Sequence, residues 1–195
     1  IRNRKSIRGF TSAAVDRHII EEILDTAVYA PSAMNSQPWE FTVLSGNVLD
    51  RIREENVHLL RSGAPIGKEA AGNWPKESVY RRRQVDLAKQ LFSLMGIGRE
   101  DKEKREEWVE RGFRFFDAPV AIIICTDQIL GESWPLIDIG IVVNTICLLA
   151  LKHGLGTCIE DQGIMYPQVI RRHTGIAENK NIVIAIAIGY PDPEF

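Results

Sequence analysis

Pro119-Val120-Ala121-Ile122-Ile123-Ile124-Cys125-Thr126 is the stretch on which the fold turns. It is β-rich and continuously apolar rather than alternating, as expected of a strand buried on both faces. Such a strand requires a layer of structure on each side of its sheet. Downstream, Pro135 to His153 is apolar nearly all round and reads as a helix ended by Gly154. Gly156 to Glu160 reads as a short strand, Pro167 to Thr174 as a short helix, and Ile182 to Ile188 as a second buried strand.

Upstream, Asp16 to Ala30 places Ile19, Ile20, Ile23, Leu24 and Ala27 at helical spacing and stops at Pro31. Glu40 to Leu44 reads as a strand closed by Ser45-Gly46-Asn47, and Val48 to Leu60 as a second helix. Gly63, Pro65, Gly67, Gly72 and Pro75 punctuate the next segment, which predicts a mobile loop over Arg61–Lys76. Val79 to Met95 reads as helical. Arg99 to Gly112 is dense in alternating charge, a solvated helix face or, more sharply, a lid over a site. Helices and strands mix without strict alternation, which favours α+β over a doubly wound sheet. No repeat or linker divides residues 1–195, so a single domain is expected.

Hydrophobic residues make up 45% and charged residues 26% of the chain, an ordinary balance for a globular protein. The net charge of -2 gives no global pull toward nucleic acid or an acidic membrane. The apolar run from Ile139 to Leu151 is shorter than a membrane span, is bracketed by Asp138 and Lys152 and is interrupted by Asn144, so a core or subunit interface is expected. Cys125, Cys147 and Cys158 lie in apolar stretches without metal-ligand spacing and read as inert thiols in a reducing compartment. No signal-peptide pattern is visible, and the sequence begins at Ile1 rather than Met; a cytoplasmic location is expected.

Two polar blocks carry the chemistry. Arg4-Lys5-Ser6-Ile7-Arg8 gathers three cations and a hydroxyl, a set suited to phosphate oxygens and to a negatively polarised ring edge. It also reads as a basic arm in solvent. Pro31-Ser32-Ala33-Met34-Asn35-Ser36-Gln37-Pro38-Trp39 offers amides and hydroxyls between two prolines, or simply a helix stop and turn. Gly154-Leu155-Gly156-Thr157 leads into Cys158-Ile159-Glu160-Asp161, where backbone N–H groups at the strand end can reach a ring nitrogen, or where a helix merely caps into a strand. Glu160 and Asp161 are adjacent and make a poor acid–base pair on an extended chain. The four histidines have no partner at triad or metal spacing, so no catalytic side chain and no metal site is expected. Neither a hydrolase, zinc, P-loop nor dinucleotide fingerprint is present.

With Phe116-Asp117-Ala118-Pro119-Val120, Asp138-Ile139-Gly140 and Ile186-Ala187-Ile188-Gly189-Tyr190-Pro191, these blocks fall in the order of a known family. The chain resembles the FMN-dependent nitroreductases over nearly its whole length. The resemblance implies a mixed, mostly antiparallel central sheet flanked by helices, in an intertwined homodimer with two FMN sites built from both subunits. It places Arg4, Lys5 and Ser6 at the FMN phosphate and Arg8 at the pyrimidine edge. Pro31, Ser32, Ala33, Asn35 and Gln37 would reach the FMN of the other subunit. The backbone of Ile159, Glu160 and Asp161 would lie by flavin N5. A further Arg or Lys commonly follows the Gly-Tyr-Pro block in this family, whereas the sequence given ends at Phe195.

The implied activity is hydride transfer from NADH or NADPH through FMN to a nitroaromatic, a quinone or a similar acceptor, by a ping-pong cycle whose chemistry is the flavin's. Residues 61–112 would form the variable lid and acceptor region, with Trp74, Tyr80, Phe92 and Trp108 as stacking candidates. Alternatives on the same scaffold are a reductive dehalogenase, with Glu77, Tyr80 and Lys89 as its acceptor-binding set, a flavin-cleaving enzyme, and a non-catalytic FMN-binding redox sensor.

Overall fold

A computed structural model of the chain describes residues 1–67, 74–131 and 133–195. In chain order its elements are α1 (Arg17–Ala27), β1 (Glu40–Ser45), α2 (Gly46–Arg61), α3 (Val79–Leu94), α4 (Lys102–Phe113), β2 (Val120–Asp127), α5 (Trp134–Lys152), β3 (Gly156–Glu160), α6 (Pro167–Thr174) and β4 (Lys180–Gly189). The sheet order is β1-β2-β4-β3. The apolar stretch of β2 therefore lies inside the sheet, and Val120 through Thr126 are all buried.

The two-residue period of β2 sorts its side chains between two cores. Ala121, Ile123 and Cys125 pack with Leu49 and Ile52 of α2, Phe113 at the end of α4, and Val169 and Ile170 of α6. Val120, Ile122 and Ile124 pack with Ile20 and Ile23 of α1 and with Ile139, Val142, Val143 and Ile146 of α5. This is an α+β fold with helices on both faces of one sheet. The expected mixed sheet is antiparallel across all its named strands. Its parallel element is an isolated bridge, Ser6 to Thr157, at the outer edge of β3.

The helix expected over Pro135–His153 forms as a 19-residue α5 with a mean hydropathy of 2.0, long and apolar enough by composition to cross a membrane. The length argument from sequence therefore does not hold, but the packing argument does. One face of α5 is sealed against the sheet and α1, while Leu136, Ile137 and Ile141 on the other face are exposed. α1 is capped by Asp16, whose Oδ1 accepts the His18 N–H at 2.8 Å, a bond of the kind that contributes about 1 kcal/mol to helix stability.

The loop expected over Arg61–Lys76 is pinned where its start is described. Gly67 N–H donates to the Met165 carbonyl at 2.9 Å, and the Tyr166 hydroxyl donates to the Ala64 carbonyl at 3.2 Å. Residues 68–73 of that segment lie outside the described residues. α3 follows with no buried residue and with Tyr80, Leu87 and Leu94 exposed. α4 has the expected solvated face, only Gly112 and Phe113 being buried.

Candidate functional site

The basic block lies along the edge of β3. Ile7 N–H donates to the Thr157 carbonyl at 2.9 Å, and Ser6 forms the parallel bridge to Thr157. Gly156 permits the approach, because a Cβ there would sit 2.8 Å from Ile7 Cγ1. A parallel pairing carries the chain from Ser6 to Arg8 in the same sense that β3 runs from Thr157 to Glu160. Arg8 and the turn that closes β3 thus share one end of the edge. The electrostatics agree. Burial pushes the Cys158 thiol up to about 11, while the Arg8 and Arg4 charges act in the opposite direction on it.

Arg4 and Arg8 are half-buried, and Lys5 and Ser6 are exposed. Among the described residues, Arg4, Lys5 and Arg8 form no ion pair, whereas the neighbouring Arg111 and Arg114 are matched by Asp117 and Glu110. The Arg8 guanidinium lies 5.7 Å from the centroid of the Phe116 ring, and Arg8 Nη1 donates to the Ser6 carbonyl at 3.3 Å. Arg111 Nη2 donates to the Arg8 carbonyl at 2.9 Å.

β3 ends in a tight turn. Glu160 Oε2 accepts the Gly163 N–H at 2.8 Å, and Glu160 is 7% exposed. Its Oε1 is buried with no partner. Burial pushes this carboxyl up to about 8 against the backbone N–H groups of Gly163 and Gln162 that favour the anion, so it carries a proton at neutral pH. Burial also raises the half-buried Asp161 carboxyl. Ile159 is 39% exposed and stands at the surface of the edge. The two carboxyl groups differ in burial, Glu160 ending the strand and Asp161 opening the turn that follows it.

The third block sits elsewhere. Pro31, Ala33, Asn35 and Gln37 are exposed and Ser32 is half-buried, in a loop attached to the start of α5. The Asp138 carboxylate, 5% exposed, accepts the Ala33 N–H at 3.1 Å. Ser32 Oγ accepts the Gln37 N–H at 3.0 Å, and Gln37 Nε2 donates to Asn35 Oδ1 at 3.0 Å. Met34, Asn35 and Gln37 hold left-handed φ angles of 51°, 56° and 46°, an unfavourable conformation that these bonds maintain. Two of the three sequence-derived groups therefore meet at the β3 edge, and the third presents outward beside α5.

Other expectations from the sequence separate. Trp108 packs on Phe116 at 6.0 Å and on Phe195 at 6.5 Å between ring centroids, which places it against the core. Trp74 and Tyr80 form an exposed ring pair 5.4 Å apart, and Phe92 lies under Arg105. Glu77 and Lys89 line a shallow cavity on α3, while Tyr80 turns toward Trp74, so the dehalogenase set is not gathered. A larger cavity of ≈ 860 Å³ lies between α2 and α4, among ion-paired Arg61, Glu110 and Arg114. Among the described residues no cluster fit for a metal ion is present. Sequence reasoning gave no role to Asn56, which is fully buried on α2. Its signal was a polar residue on the apolar stripe Leu49, Ile52, Asn56.

The donor set at the β3 edge suits a phosphorylated, polar-edged ring system: unpaired guanidinium and ammonium groups, a hydroxyl, and a strand-end backbone. The family model described as the nitroreductase family matches residues 1–190. The chain belongs to the nitroreductase family. A chloronitrobenzene nitroreductase of Comamonas testosteroni is 33% identical over 98% of this chain and 85% of its own length. A nitrobenzene nitroreductase of Ectopseudomonas oleovorans is 34% identical with the same coverage of 98% and 85%. Among solved structures, the FMN and NADPH-dependent nitroreductase NfnB from Sphigopyxis sp. strain HMH superposes with a TM-score of 0.92 at 27% identity, covering 98% of this chain and 86% of that one. The FMN-dependent NfnB from Mycobacterium smegmatis, in complex with NADPH, gives 0.89 at 25% identity, covering 98% and 85%. The two solved nitroreductases share the α+β architecture described above.

Proposed function

We propose that this nitroreductase-family chain is an FMN-dependent oxidoreductase that passes reducing equivalents from NAD(P)H to nitroaromatic, quinone or similar small acceptors. One observation carries the reading: Arg4, Lys5 and Arg8, unpaired by any carboxylate among the described residues, lie along the β3 edge, with Arg8 toward the turn that closes it. When bound there, FMN supplies hydride acceptance from NAD(P)H and onward two-electron reduction of the acceptor. Reducing a nitro group to nitroso consumes one NAD(P)H and one proton and releases water; a second NAD(P)H and a second proton give the hydroxylamine.

The chain's own residues bind and orient. Arg4, Lys5 and Ser6 hold the phosphate through charge-assisted bonds. Arg8 would place positive charge at the pyrimidine edge, which favours the more negative, reduced form of the cofactor. The backbone of Ile159, Glu160 and Asp161 would meet the N5 edge, and the Glu160 carboxyl is buried. No protein nucleophile is required, in keeping with a Cys158 thiol that is buried and pushed up to about 11. The two solved relatives are described with NADPH, which favours NADPH over NADH as donor here.

The loop Pro31–Gln37 acts across a homodimer and reaches the FMN held mainly by the partner subunit. Tyr29, Met34, Trp134, Leu136 and Ile137 form an exposed apolar zone around that loop, of a kind that a second copy covers. Residues 61–112 shape the acceptor pocket, with the Trp74–Tyr80 pair as its aromatic wall. The whole of 1–195 acts as one FMN-binding domain, and a reducing cytoplasm suits both the NAD(P)H donor and the thiols. The reading is tested by steady-state kinetics with NADPH and a nitrobenzene varied together. Parallel double-reciprocal lines are expected, and intersecting lines contradict donor and acceptor using the same face in turn.

A further inference from the structure

The two halves of the β3-edge site are joined by a segment with no role in the reading above. α4 runs out at Phe113, and Phe115, Phe116 and Asp117 then take left-handed φ angles of 55°, 52° and 59°. Three consecutive non-glycine residues in this region are strained and persist only where their surroundings over-determine them. The surroundings here are specific. Arg114 and Asp117 pair in two bonds of 2.8 Å and 3.1 Å across the turn. From α2, Arg53 donates to the carbonyls of Arg114 and Ala118.

The turn sends one ring to each half of the site. Phe116 lies under the Arg8 guanidinium at 5.7 Å. Phe115 is fully buried against Gly163, so closely that a Cβ on Gly163 would meet its ring at 2.4 Å. Gly163 is the residue whose N–H is held by Glu160. One side chain ties these parts together: Asn56 Nδ2 donates to the Gly163 carbonyl at 2.8 Å and to the Phe113 carbonyl at 3.1 Å. Asn56 is fully buried, and a buried amide bridging two backbone segments is rigid because leaving either carbonyl unmet is costly.

We propose that Asn56 is a positioning residue of the cofactor site: through Gly163 and the left-handed turn 115–117 it fixes the distance between Arg8 and the backbone of Ile159–Asp161. The inference rests on the reading that these two groups face the FMN ring from its pyrimidine and N5 edges. Asn56 touches no reacting atom. It acts by holding the β3 turn, while Phe115 and Phe116 transmit the same constraint to the other half.

The experiment compares Asn56→Leu, Asn56→Gln and Phe116→Leu with Ile52→Val, a packing change on the same helix and in the same core. The readouts are the FMN dissociation constant, the midpoint potential of bound FMN, and the thermal midpoint of each apoprotein. Asn56→Leu and Phe116→Leu are expected to weaken FMN by about tenfold and to move the potential. Ile52→Val lowers the thermal midpoint without moving the potential. If Asn56→Leu does not fold, Phe116→Leu and Asn56→Gln carry the test. A potential that stays at the wild-type value in every folded Asn56 and Phe116 variant, or that moves equally in Ile52→Val, overturns the proposal. Arg8→Ala, measured alongside, separates the two levels. If it too leaves FMN binding and potential unchanged, the site assignment itself fails; if it alone changes them, only the positioning role of Asn56 fails.

Discussion

The Asp138 carboxylate accepts the Ala33 N–H at 3.1 Å across 105 residues of sequence, and so fastens an exposed loop to the N-terminal part of α5. Without that acceptor, the left-handed residues Met34, Asn35 and Gln37 keep only bonds internal to the loop. Asp138→Ala should therefore loosen the loop and weaken FMN binding by about tenfold, the worth of one well-placed charge-assisted bond, while Asp138→Asn retains an acceptor and most of the affinity. Fluorescence titration of the apoprotein with FMN decides it; equal affinities in all three proteins would remove the loop from the site.

Arg8 is the cation nearest in register to the turn that closes β3. Arg8→Ala should raise the FMN dissociation constant by ten- to hundredfold, corresponding to about 1.5–3 kcal/mol for a bond to a charged group, and should slow flavin reduction by NADPH. Arg8→Lys should recover charge but not the planar fork, and should fall between. Stopped-flow reduction at saturating FMN separates binding from electron transfer; unchanged rates and affinity would leave Arg8 as a surface arm.

Glu160 gives the fold a pH dependence of defined sign. Its folded carboxyl is pushed up to about 8 from an ordinary 4.5, so between those values the folded protein holds a proton that the unfolded chain has released. Stability from this group is complete below the lower value and is lost as pH rises toward the upper one, at about 1.4 kcal/mol per pH unit. Glu160→Gln removes the slope and keeps the acceptor for Gly163. Denaturant unfolding between pH 6 and 8 should show wild type converging downward on a flat variant; parallel curves would mean Glu160 is ionised throughout.

The apolar zone around the α5 start predicts the assembly. Ile137 is 64% exposed and Trp134 73% exposed in the single chain. Ile137→Asp should weaken a homodimer by about a hundredfold, since an unpaired charge buried at an interface costs on the order of 3 kcal/mol. FMN occupancy should fall with it if the Pro31–Gln37 loop serves the partner's site. Sedimentation velocity over a concentration series is the check, and an unaltered dimer with full flavin would place the interface elsewhere.

Much of this architecture was legible in the sequence because periodicity reports burial. The unbroken apolar run of β2 announced a layer on each face of the sheet, and the apolar α5 supplies one of them, while its outer face with Leu136, Ile137 and Ile141 is exposed in the single chain. The basic block was recognisable by residue type, but its placement on β3 was not, since one isolated bridge at Thr157 and a close approach at Gly156 carry it. The left-handed turn at Phe115–Asp117 was invisible for a physical reason: none of its residues is a glycine, and its conformation is held by the Arg114–Asp117 pair across it and by Arg53 and Asn56 of α2, which bond the backbone on its flanks. Asn56 itself stood on an apolar helix stripe, a legible anomaly whose meaning required knowing that Gly163 lies opposite. Trp108 read as a stacking candidate from composition, but packing on Phe116 and Phe195 gives it a structural place.

The most direct test of the oxidoreductase assignment is an anaerobic absorbance spectrum of the FMN-loaded protein, recorded before and after one equivalent of NADPH and again after a nitrobenzene. Bleaching of the flavin band by NADPH, and its return on adding the acceptor, is the expected result. A flavin band that stays oxidised with both NADPH and NADH would contradict the assignment.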